Sequence, residues 1–419
     1  MPTFCGQLLT RNAAAPLRTP AARVKARAHP LMKRHKMKNS SSADRIGRPD
    51  SSGGIFIRTF SRRDFVRLMS LIAGTSGGVS GFGLPRTALA LDSASSPPVE
   101  PWEDGSRTGG ATGTLEFWYF DTVLDDGSTA GFNFFTRPPT ELAGPLKPRV
   151  SINIGRPDLR RTREVIDYRA EEFFAAREHC DVRIGPNHAS GTLIDGFGRY
   201  EISLTGKETA ANLVFHGEVP AWRAGPRDGE LKPGIIFAWL PFIPYGGVEG
   251  TLTYDGTVHR VRGTGYHDHN WMNVDMTKIV DHWYWGRAYS KTYRLVFVQV
   301  FGRPQALGSA PISALLAARD SSIMLGDYGQ GIPLTLREAD FAKGPGGRSY
   351  PKALDFDWAG SQGRVRLALR NPKFIEWFPV GAGDAWYYRW KADLELTLDL
   401  DGSHIVEQGI AVYERLLLH

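Results

Sequence analysis

Cysteine is nearly missing from this chain: 419 residues carry only Cys5 and Cys180. No disulfide framework and no cysteine-based zinc motif can be built from two such distant thiols. Long apolar runs are missing as well. The best candidate, Leu68 to about Leu84, is short and interrupted by Gly74, Gly77, Gly78, Gly81 and Gly83, so it makes no convincing membrane span. Beyond residue 91 there is no Gly-x-Ser-x-Gly elbow, which removes the serine-hydrolase reading. A basic surface is also lacking. The net charge of +7 resides in residues 1–91, with 16 Lys+Arg against 3 Asp+Glu, and the remainder holds 35 against 41. Nucleic acid is therefore excluded as a partner.

What the chain does have is glycine (47), proline (27) and a hydrophobic content of 42%. That composition is ample for a core and favours a turn-rich β protein. Residues 1–91 read as an export leader. Ser61-Arg62-Arg63-Asp64-Phe65-Val66-Arg67 resembles a twin-arginine signal, the weak apolar run follows, and Ala88-Leu89-Ala90 offers a small-x-small cleavage site. Residues before Ser61 are either an extended signal region or lie upstream of a true start at Met32 or Met37, and they are set outside the fold. The expected product is exported by the twin-arginine route to the periplasm or beyond, or stays anchored if the signal is retained.

Residues 92–113, rich in Ser, Pro and Gly, read as a linker. Regular structure begins at Thr114–Leu124, turns at Asp125-Asp126-Gly127 and returns from Thr129 to Thr136, a strong hairpin signal. Further strands are expected at 149–154, 181–185, 199–205, 212–218, 247–254 and 258–263. Two more fall in 283–301, and the rest at 311–318, 322–326, 353–358, 363–370, 385–400 and 404–416. The charged segment 159–177 reads as a short helix or a loop, and Pro241 and Pro244 as a corner. Short strands at this spacing mark a sandwich or barrel. Gly302 and Pro304 suggest a boundary there, giving an N-terminal β domain over 114–304 and a C-terminal β-barrel over 305–419.

One stretch concentrates chemical capability: Gly263-Thr264-Gly265-Tyr266-His267-Asp268-His269-Asn270-Trp271, followed by Asp281-His282-Trp283-Tyr284-Trp285-Gly286-Arg287. The glycines allow sharp turning and close approach. In a strand, His267, His269 and Trp271 share one face, and Asp268 and Asn270 the other. The expectation is that this stretch floors a ligand pocket, with His269 and Trp271 towards the ligand and Asp268 behind them. Three readings remain open: an acid–base site, a hydrogen-bonded knot closing a barrel, and a metal site drawn from His267, His269, Asp268 and His282. The third lacks a further ligand at diagnostic spacing, so no metal and no cofactor are expected.

Four motifs occur in order: Glu116-Phe117-Trp118-Tyr119-Phe120-Asp121, Ala238-Trp239-Leu240-Pro241, Gly265 to Trp271, and Trp283 to Arg287. Together they resemble the hydroxyneurosporene synthases (carotenoid 1,2-hydratases) and the related AttH-like secreted proteins, well over residues 110–305 and weakly beyond. The resemblance implies an all-β fold of tandem lipocalin-like (calycin-type) β-barrels, with a lipophilic ligand between or within them. Fungal pericyclases look like relatives, so the family does not fix one reaction. Hydratases of the family carry an acid on a strand just downstream of the motif. Here that strand, Leu295-Val296-Phe297-Val298-Gln299-Val300, has no carboxylate.

Hydrating an isolated double bond needs a proton donor in a dry pocket, a water to meet the carbocation, and aromatic faces along the path. On that chemistry the candidate catalytic residues are Asp268, His269 and Asp281. The candidate ligand-binding residues are Glu116, Trp118, Tyr119, Trp239, Tyr266, His267, Asn270, Trp271, Trp283, Trp285 and Arg287. Glu116 is read as pairing with Arg287 or capping the pocket, and the Trp386–Trp390 cluster as core or interface. Two functions from different classes follow. The first is a cofactor-independent lyase, isomerase or cyclase acting on a polyene- or isoprenoid-like molecule; the second is a non-catalytic lipocalin-like carrier. An acid of elevated pKa facing the cavity would favour the first. The expected partners are a lipophilic small molecule, the twin-arginine translocase and signal peptidase during export, and the periphery of a membrane.

Overall fold

The hairpin predicted at the start of the chain forms as the turn chemistry requires. Gly127 takes φ +85°, a conformation open to glycine at little cost, and its N–H donates to the Leu124 carbonyl at 2.9 Å. It joins β1 (Leu115–Leu124) to β2 (Thr129–Phe135), with Phe117 opposite Phe135 and Val123 opposite Thr129. The structure, a computed structural model, describes residues 97–380, 385–400 and 402–418. All of these belong to one compact unit. The leader expectation falls on residues 1–91, outside the described residues. Among the described residues no helix is long and apolar enough to cross a membrane.

From β1 the chain continues through β3 (Arg149–Gly155), β4 (Arg161–Asp167), β5 (Phe173–Ala175), β6 (Cys180–Ile184), β7 (Asn187–Ile194) and β8 (Phe197–Thr205). It then forms β9 (Ala210–Gly217), β10 (Glu230–Lys232), β11 (Ile235–Tyr254) and β12 (Thr257–Met272). These make one antiparallel sheet in the order β4-β3-β2-β1-β12-β11-β9-β8-β7-β6-β5, with β10 paired to β11. A single helical turn, α1 (Met276–Ile279), is capped by Asp275 accepting from Thr277 N, and leads into the second sheet.

That sheet contains β13 (Val280–Ser290), β14 (Tyr293–Gly302), β15 (Ile312–Arg319), β16 (Ser322–Gln330) and β17 (Leu334–Lys343). It is completed by β18 (Ser349–Gly360), β19 (Gly363–Pro379), β20 (Trp386–Leu400) and β21 (Ser403–Leu417). Their order is β16-β15-β14-β13-β21-β20-β19-β18-β17. In each sheet the last strand returns to pair with the first, β12 with β1 and β21 with β13. The fold is thus nearly all-β, two curled lipocalin-like half-barrels in tandem.

Several expectations need correction. The change of sheet falls between Met272 and Val280, ahead of the boundary expected at 304/305. Gly302 and Pro304 instead bracket a turn inside the second sheet, where α2 (Pro304–Leu307) joins β14 to β15. The described part of the expected linker is structured: Pro101–Asp104 forms a 3-10 turn with Glu103 and Asp104 buried. Segment 159–177 holds β4, a 3-10 turn and β5. These are the two edges of their sheet, where charged side chains guard unpaired backbone and erase the apolar pattern. Pro241 and Pro244 make no corner, since β11 runs through them with register shifts between Pro241 and Gly246. Proline has no N–H to donate to the ladder, so the pairing slips there.

Each sheet buries its own core. In the first, Trp118, Phe120, Phe132, Phe134, Ile152 and Phe215 pack together; in the second, Tyr284, Phe297, Phe356, Leu396 and Trp390 do. Each large buried apolar side chain contributes about 1.5–3 kcal/mol. Two further clusters join strands of both sheets, one around Leu115, Met272, Val300 and Leu416 and one around Tyr266, Trp285 and Leu316. A buried ion cluster ties the sheets as well. Asp121 on β1 accepts from Arg287 Nε at 2.9 Å and from Arg389 Nη2 at 2.5 Å.

Candidate functional site

Strand β12 serves two compartments at once. Its side chains alternate, and its Tyr266 to Trp271 stretch is buried on both faces. Gly263 and Gly265 supply close approach rather than a turn. A Cβ at Gly263 would lie 2.2 Å from the Val123 carbonyl oxygen, and one at Gly265 2.7 Å from the Phe215 ring.

One face of β12 points into the first core. The His267 ring stacks on Phe120 at 4.0 Å and the His269 ring on Trp118 at 4.6 Å. His267 places Nδ1 3.0 Å from the Tyr119 carbonyl and Nε2 3.0 Å from Asp104 Oδ2. His269 places Nδ1 3.0 Å from the Glu103 carbonyl and Nε2 3.0 Å from Glu116 Oε1. Glu116 also accepts from Ser106 Oγ, from the Arg107 and Thr108 backbone, and from Thr108 Oγ1. Burial alone would raise its pKa, but the His269 hydrogen bond and these donors hold it below the usual carboxylate value. Glu103 in turn pairs with buried Arg223. This is a satisfied knot that pins the 97–110 segment onto the barrel.

The knot corrects three expectations. His269 has both ring nitrogens engaged and lies on the core side, so it cannot activate water in the cavity described below. Glu116 pairs with His269, not Arg287, whose partner is Asp121. Trp118, His267 and Trp271 likewise lie off the cavity, Trp271 directing Nε1 to the Asp228 carbonyl at 3.4 Å. The residues weighed as a metal set are split too, with Asp268 facing away from both histidines. Among the described residues, the donor atoms close enough for a metal ion are those of Asp104, Cys180 and His267, within 4.8 Å of one another. The His267–Asp104 hydrogen bond already joins two of them.

The opposite face of β12 borders a cavity of about 370 Å³ between the two sheets, within the range of small-molecule sites. Apolar walls come from Phe117, Phe135, Phe237, Met272, Val298, Val300, Ile312 and Leu416, and aromatic faces from Tyr119, Trp239, Trp283 and Trp285. Asp268 and Asn270 open onto it. The strand alternation is as expected, but the assignment of faces is reversed: the acid faces the cavity and the histidines lie behind.

Asp268 is held tightly. Oδ2 accepts from Tyr266 Oη at 2.7 Å and from Trp239 Nε1 at 2.8 Å, and Oδ1 accepts from Asn270 Nδ2 at 2.6 Å. Burial pushes its pKa up to about 6 in spite of the Tyr266, Trp239 and Asn270 donors, which favour the charged form. The Trp285 ring, on the same wall, meets the Tyr266 ring edge-on at 5.1 Å. Asp281, in contrast, has a 41% exposed side chain, pairs with His282 Nδ1 at 2.7 Å and does not line the cavity.

The second sheet supplies residues that the motifs did not reveal. Glu414 on β21 lines the cavity and accepts from Trp283 Nε1 at 2.9 Å and Tyr387 Oη at 2.7 Å. Burial raises its pKa to about 7, with Trp283 and Tyr387 opposing. Glu376 on β19 lines it too and is raised by burial. Arg389 donates to Tyr119 Oη at 3.0 Å. Tyr387 and Arg389 therefore belong to the cavity wall, not solely to a core cluster. The available signal was a charged residue set among apolar neighbours in Val412-Tyr413-Glu414-Arg415-Leu416.

No family model matches the chain. A 93-residue stretch is 37% identical to the hydroxyneurosporene dehydrogenase of Chlorobaculum tepidum, covering 19% of this chain and 24% of that protein. An AttH-type protein from Nitrosomonas europaea superposes over 80% of this chain and 98% of its own, with TM-score 0.55 and 17% identity. The chain has the AttH-like lipocalin fold. Within that fold it is also similar to CghA bound to Sch210972, with TM-score 0.54, 17% identity, and coverage of 73% and 88%. Kievitone hydratase from Nectria haematococca is similar over 80% and 97%, with TM-score 0.50 and 12% identity. The motif resemblance to the hydroxyneurosporene synthase and AttH-like group is thus met again, by sequence over part of the chain and by fold over most of it.

Proposed function

We propose that this AttH-like chain is an exported, cofactor-independent enzyme that adds water to, isomerises or cyclises a hydrophobic polyene- or isoprenoid-like molecule in the inter-sheet cavity. The observation that carries this reading is Asp268, a carboxyl of raised pKa on the wall of an apolar, aromatic cavity. A group titrating near neutrality can both hold and give up a proton, as general acid catalysis needs. The carbon that receives it becomes cationic, and the faces of Trp239, Trp283, Trp285 and Tyr119 suit such a charge. A carrier needs an apolar cavity but no acid in it, so Asp268 and Glu414 favour the enzyme.

The names of two similar proteins, a hydroxyneurosporene dehydrogenase and a kievitone hydratase, accord with a small-molecule substrate and, in the second, with hydration. Export by the twin-arginine route remains part of the proposal and rests on the leader motif. The test is to purify the chain from its native host, identify the co-purified lipophile by mass spectrometry, and incubate that compound with the wild type and with Asp268→Asn. Conversion by the wild type and unconverted but bound ligand in the variant are expected. Equal conversion by both would overturn the role of Asp268, and binding without conversion by either would leave a carrier.

A further inference from the structure

The two half-barrels present acids in matching positions. β12 lies between β1 and β11, and β21 lies between β13 and β20, each being the last strand of its sheet paired to the first. Asp268 sits on β12 and Glu414 on β21, and both line the same cavity. Each accepts one indole N–H and one phenol O–H, from Trp239 and Tyr266 in one case and from Trp283 and Tyr387 in the other. Their registers match in kind: Asp268 stands opposite Tyr119 on β1, Glu414 opposite Trp285 on β13, and those two rings meet edge-on at 6.1 Å.

We propose that Glu414 is the second catalytic carboxyl of this cavity, taking a proton from the water that adds to the substrate while Asp268 delivers one to carbon. The inference rests on the reading of the cavity as a proton-transfer site. In the first step a C–H bond forms from the Asp268 proton and the π electrons of the double bond, leaving a cation on the adjacent carbon. In the second, the water oxygen forms the C–O bond and Glu414 accepts one of the water protons. Transfer of that proton from Glu414 to Asp268 restores the start, so one water is consumed and no electrons are gained or lost.

The pair works with one proton between them, on Asp268 at the start of a turnover and on Glu414 once water has added. The two carboxyls also sense each other, since the Asp268 charge raises Glu414. The other groups around Glu414 are Arg389 and Tyr387 on β20 and Tyr119 on β1. Arg389 favours its ionised form, and Glu376 lies on the same cavity wall.

The test uses the full chain, with lycopene and neurosporene in detergent micelles as probes. Glu414→Gln is expected to lower kcat by about a hundredfold or more with KM little changed, and to abolish the acidic limb of the pH profile while the alkaline limb, set by Asp268, remains. Full activity in Glu414→Gln beside a dead Asp268→Asn would overturn this inference and leave the proposed function standing. Full activity in both variants would overturn both. If the wild type converts neither probe, infrared titration of the protonated carboxyl bands decides. Asp268→Asn should move the Glu414 midpoint down, and an unmoved midpoint overturns the pairing. Should Glu414→Gln fail to fold, Tyr387→Phe should move the Glu414 midpoint up, and no movement would again overturn it.

Discussion

Replacing Asp268 by Asn tests the electrostatics of the cavity without a substrate. The amide can keep its oxygen towards Tyr266 and Trp239, and its nitrogen can face the side-chain oxygen of a flipped Asn270, so the hydrogen bonds survive. What disappears is a titration. Asp268 rises from 3.8 to about 6 on folding, which corresponds to about 3 kcal/mol. Because the folded state binds the proton more tightly than the unfolded chain, this group stabilises the fold at low pH. That contribution is lost as pH rises between about 4 and 6. About 1.4 kcal/mol of it falls between pH 5 and pH 8. Urea denaturation at those two pH values should therefore show the variant gaining on the wild type by about 1 kcal/mol or more at the higher pH. Parallel stabilities at both pH values, or a variant that loses ground at pH 8, would refute the buried, cavity-facing acid.

Other consequences can be checked alongside. Glu116→Ala removes the acceptor of five hydrogen bonds and strands His269, so it should cost roughly 3–5 kcal/mol in urea denaturation, with the remaining folded protein still binding lipophile. Ile312→Trp projects into the cavity and should weaken lipophile binding about tenfold or more in fluorescence titration, with little change in the melting temperature. Arg389→Met takes one of two cations from Asp121 and should destabilise by roughly 3–5 kcal/mol in the same denaturation assay. Infrared titration of that variant should also find the Glu414 midpoint raised.

Much of this was legible in the sequence because the relevant signals are local. The Asp-Gly hairpin, the period-two strands and the split of β12 into two faces follow from turn chemistry and pleat alone. Which face met the ligand did not, because both faces of that stretch are buried and both carry polar side chains. Asp104 and Glu103 decide the matter by drawing His267 and His269 inwards, and they lie in a segment whose Ser, Pro and Gly content reads as linker. Glu414 escaped for a related reason. Its Trp283 and Tyr387 donors sit 131 and 27 residues away in sequence, and only the closure of the second sheet brings them together. The edge strands β4 and β5 were missed because charge at a sheet edge imitates a loop.

The most direct test of the central claim is a solvent-label experiment. The purified chain is supplied with lycopene or its native lipophile in heavy water, and the product is examined for deuterium on carbon. Proton delivery from the cavity predicts one carbon-bound deuterium per turnover with the wild type and none with Asp268→Asn. A product formed without carbon-bound deuterium, or labelled equally by the variant, would contradict it.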